Sequence, residues 1–178
     1  MSSIAILQSW LEALWFFVPI SAANQSSGWA RKAGLWLMDK PVSEKLFGTD
    51  KTVGAYYAAP LGAVATLYLQ AFWSGVCNDI GLFDYQRSDL WRVGLMMGFG
   101  VVAGDYGASA IKRWKELPQG APFWPVDQLN YVVVGIAFVS PIVWVGWGRA
   151  IFLLAFAFPL HYWGNQLGYW LRLRKVPY

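Results

Sequence analysis

Long apolar stretches separated by short polar ones set the pattern of this chain. A helix rises 1.5 Å per residue, so crossing about 30 Å of hydrocarbon takes about 20 residues. Five stretches are that long, at roughly 4–24, 54–76, 90–111, 129–147 and 149–169. They predict an all-α, polytopic membrane bundle of five transmembrane helices in a single membrane-embedded domain. Its main polar loops fall at about 25–53 and 112–128. The fourth and fifth stretches are separated only by Gly148 and its neighbours, which predicts a tight helical hairpin. Pro19, Pro60, Pro141 and Pro159 lie inside the stretches and predict kinks, which membrane helices tolerate when neighbours satisfy the freed carbonyls.

Composition strengthens that picture. Hydrophobic residues make up 57% of the 178 positions and charged residues 13%, against about a quarter charged in a soluble domain. Lipid, rather than a core alone, is expected to cover the apolar surface. No basic stripe with interleaved aromatics lies on a polar segment, so nucleic acid is not an expected partner. Cys77 stands alone, which excludes an intrachain disulfide and a cysteine metal site. Met1 to Ser3 lack the positive charge of a secretory signal, so the first stretch is expected to be a retained span.

The placement of Lys and Arg gives an orientation. Eleven basic residues fall on one side: Arg31, Lys32, Lys40, Lys45, Lys51, Lys112, Arg113, Lys115, Arg172, Arg174 and Lys175. Three fall on the other: Arg87, Arg92 and Arg149. Short cytosolic loops collect Lys and Arg, which predicts an outside N-terminus and a cytosolic C-terminus. Trp10, Trp29, Trp73, Trp91, Trp124, Trp147, Trp163 and Trp170 sit near expected span ends, where interfacial tryptophans anchor.

The candidate chemistry lies at the inner end of the third span. Asp105, Ser109 and Lys112 stand at i, i+4 and i+7 and share a helix face. An ionised carboxylate facing lipid there costs several kcal/mol, so Asp105 is expected to face protein, a metal or a wet cavity. Gly98, Gly100, Gly104, Gly107 and Ala108 around it let a backbone or ligand approach closely. A loop broken by Pro118, Gly120, Pro122 and Pro125 then delivers Asp127, with Gln128 and Asn130 beside it, to the start of the fourth span. Asp127 also suits a helix N-cap. Two carboxylates with hydroxyl and amide neighbours, and no His or Cys nearby, suit a hard ion such as Mg²⁺. Lys112, Arg113 and Lys115 supply donors for phosphate oxygens, although single basic residues here also satisfy the positive-inside pattern. Phe47-Gly48-Thr49-Asp50-Lys51-Thr52 lacks the spacing of a P-loop, and Asn24 suits either a ligand contact or a cap. Glu12 and His161, lone ionisable residues inside spans, are expected to pair between helices. Asp79, Asp84 and Asp89 are expected to be solvated outside.

Gly104-Asp105, Ser109, Lys112-Arg113, Pro125 and Asp127-Gln128-Leu129 together resemble the CDP-archaeol synthases, relatives of the CDP-diacylglycerol synthases. Phe47-Gly48, Lys51-Thr52 and Ala23-Asn24 match the family's upstream motifs, so the likeness runs from residue 24 to about 130. Val53-Gly54 stands where the family often has Trp-Arg-Gly, and Ser43 where an Asp commonly follows the first loop's Pro. The resemblance implies a Mg²⁺-dependent cytidylyltransferase that moves a cytidylyl group from CTP to an isoprenoid ether-lipid phosphate, 2,3-bis-O-geranylgeranyl-glycerol 1-phosphate, and releases pyrophosphate. Asp105 and Asp127 would hold one or two Mg²⁺ ions, Lys112 and Arg113 would clamp phosphates, and Ser109 would add a hydrogen bond. Lys51, Thr52, Asn24 and Gln128 would contact nucleotide or lipid phosphate. The competing reading is a cation- or proton-coupled transporter. Against it stand the missing inverted repeat and the basic residues at the mouth. A CDP-alcohol phosphatidyltransferase would need a run of aspartates that this chain lacks.

Overall fold

The structure, a computed structural model, describes residues 2–32, 39–77, 81–119 and 121–170. Asp79, Gly120 and the basic tail residues Arg172, Arg174 and Lys175 lie outside them. The described residues form helices α1 (Ser3–Lys32), α2 (Glu44–Phe47), α3 (Val53–Cys77), α4 (Leu90–Trp114), α5 (Val126–Val139) and α6 (Trp147–Trp170). The five long helices answer one to one to the five apolar stretches. Among the described residues there is no strand, only an isolated bridge between Pro41 and Thr52.

By length and hydropathy, α1 is apolar enough to cross a membrane over Ser3–Ala30, while α5 is apolar but shorter. The bundle's exterior is itself apolar. Phe72, Leu61 and Ile151 are all more than half exposed, and the eight tryptophans named above all lie on the outside. Water would not tolerate so much contiguous apolar surface.

Pro19, Pro60 and Pro159 remain inside helices. Pro141 behaves differently: α5 stops at Val139, eight residues short of the expected 147. A proline has no N–H to continue the ladder. The amides of Ile142 and Val143 both turn back onto the Val139 carbonyl. Gly146, at φ +84°, then takes a left-handed conformation that swings the chain into α6. The hairpin is therefore a turn of seven residues rather than a pivot at Gly148.

Close approach of backbones sets the packing. A Cβ on Gly98 would lie 2.2 Å from the Pro60 Cα, so α4 presses its backbone on α3 at the proline. On another side of α4, a Cβ on Gly104 would lie 2.5 Å from the Asn130 carbonyl oxygen of α5. Phe16 and Ile20 of α1, Leu67 of α3, Met97 of α4 and Val132 of α5 are fully buried between these contacts. Gln70 donates to the Trp15 carbonyl at 2.8 Å and ties α3 to α1.

Two loops carry polar locks. Val42 N–H donates to the Lys51 carbonyl and Val53 N–H to that of Lys40, closing the segment that contains α2. At the opposite end, Asp89 is not simply solvated as expected. Arg87 clamps it through Nε and Nη2 at 2.5 and 2.8 Å. That hydrogen bonding holds the Asp89 carboxyl below its usual range. Asp84 accepts from the Gln86 amide.

Gly98→Ala is expected to lower the thermal midpoint of the detergent-purified protein, by an overpacking cost of about 1–3 kcal/mol. Gly107→Ala, where a Cβ meets nothing within 4 Å, should leave it unchanged or raise it. Equal midpoints for both variants would contradict this account of the α3–α4 contact.

Candidate active site

Every helix end at one face of the bundle contributes to a polar cavity of about 400 Å³, within the range of about 300–1,000 Å³ usual for small-molecule sites. The late turns of α1 bring Ser21, Asn24, Gln25, Ser27 and Gly28. The segment before α3 brings Asp50 and Lys51, α4 brings Asp105 and Lys112, and α5 brings Asp127, Gln128, Asn130 and Tyr131. Leu160, His161 and Gly164 of α6 complete the wall.

Two ion pairs organise it. Lys51 Nζ donates to Asp105 Oδ2 at 2.5 Å, and Lys112 Nζ to Asp127 Oδ2 at 2.6 Å. All four side chains are 30% exposed or less. Local structure explains the placements. Thr52 Oγ1 accepts from the Ala55 N–H and caps α3, fixing Lys51 at the helix entrance. Tyr106 Oη donates to the Thr52 carbonyl at 2.7 Å, and its ring meets Phe47, which docks the first loop on α4 beside Asp105. Asp127 Oδ2 also accepts from the Phe123 N–H at 2.9 Å, and Lys112 donates to the Ala121 carbonyl at 3.0 Å. The second pair thus fastens the proline loop. An ammonium carries three donors, so Lys51 keeps two and Lys112 one for a ligand.

Asp105, Asp127, Lys112, Lys51, Asn24 and Gln128 come together in this one cavity. Three other expected residues do not line it. Thr52 is buried as the α3 cap, and Ser109 Oγ donates to the Asp105 carbonyl within its own helix. Arg113 Nη2 donates to the Pro118 carbonyl, so its guanidinium braces the loop instead of the cavity. Glu12 does pair between helices, accepting from Arg149 Nη2 of α6 at 2.5 Å. His161, expected only to pair between helices, belongs to the cavity wall, and its ring lies 6.0 Å from that of Tyr131. Ser21 and Gln25 were legible as a polar stripe with Asn24 and Gly28 near the end of an apolar span. Tyr131 and Asp50 carried no such mark.

The donors suit a hard cation. Both carboxylates already attract an ammonium, and the neighbouring groups are oxygens and amides. Gln128 Oε1 is buried beside Asp127 without a hydrogen-bond partner. Among the described residues no group of three or more His, Cys, Asp or Glu could enclose a metal. The set therefore fits an ion such as Mg²⁺, which keeps waters and leans on substrate phosphates, and not a protein cage. A second, almost wholly apolar groove lies between α4 and α5, lined by residues that include Gly104, Gly107, Leu129 and Val133.

The CarS-like family of CDP-archaeol synthases matches residues 4–178. The chain belongs to this family. CDP-archaeol synthases from Thermococcus kodakarensis and Methanopyrus kandleri are each 32% identical to it, over 97% and 96% of this chain and 98% and 96% of theirs. That from Thermococcus gammatolerans is 29% identical over 97% of this chain and 98% of its own. A solved structure described as an intramembrane enzyme for archaeal membrane lipids biosynthesis shares the fold. Its TM-score is 0.70 at 24% identity, with 88% of this chain and 94% of that one covered. Membership in the CarS-like family gives the transporter reading no support.

Asp127→Asn should speed hydrogen exchange at the Phe123 amide without changing exchange around Thr52, because it weakens only the Lys112–Asp127 pair that fastens the proline loop. Unchanged protection at Phe123 would contradict the role given to Asp127 in holding the loop.

Proposed function

We propose that this chain is a membrane-embedded, Mg²⁺-dependent cytidylyltransferase that converts an isoprenoid ether-lipid phosphate, 2,3-bis-O-geranylgeranyl-glycerol 1-phosphate, to CDP-archaeol with release of pyrophosphate. The observation that carries this reading is the pairing of two carboxylates with two lysines inside one polar cavity, in a chain of the CDP-archaeol synthase family. Five helices, α1 and α3 to α6, cross the membrane with the N-terminus outside. The excess of Lys and Arg at the cavity's end supports a cytosolic mouth.

The chemistry asks little of a general base. A phosphate monoester loses its second proton near pH 6, so the attacking oxygen is already ionised at neutral pH. That oxygen bonds to the α-phosphorus of CTP, the bridging α–β bond breaks, and its electron pair leaves with pyrophosphate. The obstacle is repulsion between two anions, which positioning and fixed charge overcome. Lys51 and Lys112 offset that charge through their remaining donors, and Asn24 and Gln128 orient the nucleotide through amide hydrogen bonds. Asp105 and Asp127 would hold Mg²⁺, which supplies charge neutralisation and polarises the phosphate being attacked.

Purified protein given labelled CTP, Mg²⁺ and the lipid phosphate should form a CDP-lipid and pyrophosphate. Chelation should stop it, and Asp105→Asn should cut turnover by at least about 100-fold, the scale seen when metal or charge contacts are removed. Unimpaired turnover in folded Asp105→Asn protein would refute the role of this carboxylate.

A further inference from the structure

The seam between α1 and α6 changes character along its length. Two aromatic contacts zip its outer half. Trp10 stacks on Phe152 at 5.3 Å, and Phe17 meets Phe156 edge-on at 6.5 Å, with the Glu12–Arg149 pair beside them. The order of these contacts shows that the two helices run the same way. One turn further on the zipper ends. Ser21, Asn24, Gln25 and Gly28 of α1 and Leu160, His161 and Gly164 of α6 line the polar cavity instead. A Cβ on Gly28 or on Gly164 would meet nothing within 4 Å, so this half of the seam is open. Leu160 both lines the cavity and is 45% exposed on the apolar exterior. Tyr131, 6.2 Å from the Phe17 ring and 6.0 Å from that of His161, forms the ceiling.

Resting on the cytidylyltransferase reading, we propose that this open half-seam is the lateral entry for the acceptor substrate, and that an imidazole N–H of His161 holds its phosphate. A lipid phosphate cannot arrive from water with its tails. It must enter where apolar exterior runs directly into polar wall, as it does at Leu160 and His161. The apolar groove between α4 and α5 offers no such passage, because the backbones of Gly104 and Asn130 are in contact there, and the apolar groove between α1 and α3 shares only Gln25 with the cavity wall. Both lysine–carboxylate pairs come from the segment before α3, α4 and α5. The nucleotide's phosphates therefore take the wall of the two pairs, and the lipid phosphate takes the α6 wall that carries His161. His161 is a positioning residue in this scheme: the N–H donates to a phosphate oxygen, and no proton changes hands.

Steady-state kinetics with CTP and the lipid phosphate varied separately test it. His161→Leu should raise KM for the lipid phosphate about tenfold, the loss of one hydrogen bond to a charged group, with KM for CTP unchanged. His161→Gln, which keeps an N–H donor, should recover most of that loss. Gly164→Leu should raise the lipid KM by narrowing the seam, and Gly107→Leu in the α4–α5 groove should not. The inference is overturned if His161→Leu leaves the lipid KM alone, if both substrates' KM values rise together, or if Gly107→Leu acts in place of Gly164→Leu. Absence of CDP-lipid from wild-type protein would instead sink the cytidylyltransferase reading, and this inference with it.

Discussion

Two carboxylates are held at one end of an apolar bundle, and a lysine ammonium meets each of them. Taking a carboxylate out of water costs several kcal/mol unless a cation and further hydrogen bonds compensate. Lys51 on Asp105 and Lys112 on Asp127 supply that compensation. The rest of that face is arranged around these pairs. The bridge at Pro41 and Thr52, the Thr52 cap and the Tyr106 hydrogen bond bring Lys51 into place. The backbone contacts of Lys112 and Asp127 bring the proline loop over the cavity.

Such an arrangement stores charge without burying it irreversibly. Each ammonium carries more donors than its carboxylate uses, and both pairs line the polar cavity. In the proposed reaction an anionic nucleotide would meet cations already in position, with little reorganisation. In that reaction Asp105 and Asp127, which already attract a positive neighbour, would hold the metal that the nucleotide's phosphates need. The glycine contacts of α4 serve the same end, since close packing at Gly98 and Gly104 fixes the helix that carries Asp105.

Much of this was legible in the sequence. The five apolar stretches became five long helices, because hydrophobic length is a strong constraint. Asp105 stood out because a lone carboxylate in an apolar helix needs a reason, and Asp127 because a proline-broken loop delivers it to the start of the next span. Other features depended on contacts that a linear pattern does not carry. Pro141 reads like the other span prolines, yet it ends α5, because the Val139 carbonyl gathers the following amides and Gly146 turns the chain. Ser109 lay on the correct helical face, but its hydroxyl was taken by a carbonyl one turn back. Arg113 follows Lys112 directly, so it points about 100° around the helix and reaches Pro118 instead. His161 stood out only as a lone ionisable residue in a span, because its place in the carboxylates' cavity depends on how α6 packs in the bundle.

Asp105 and Asp127 are proposed to hold one or two divalent ions together in a nucleotide site. Electron paramagnetic resonance of Mn²⁺, added to the purified protein with and without CTP, tests it without relying on turnover. A CTP-dependent bound signal is expected in the wild type, strongly weakened by Asp105→Asn and by Asp127→Asn alike. Equal Mn²⁺ and CTP binding in both variants and the wild type would contradict the account.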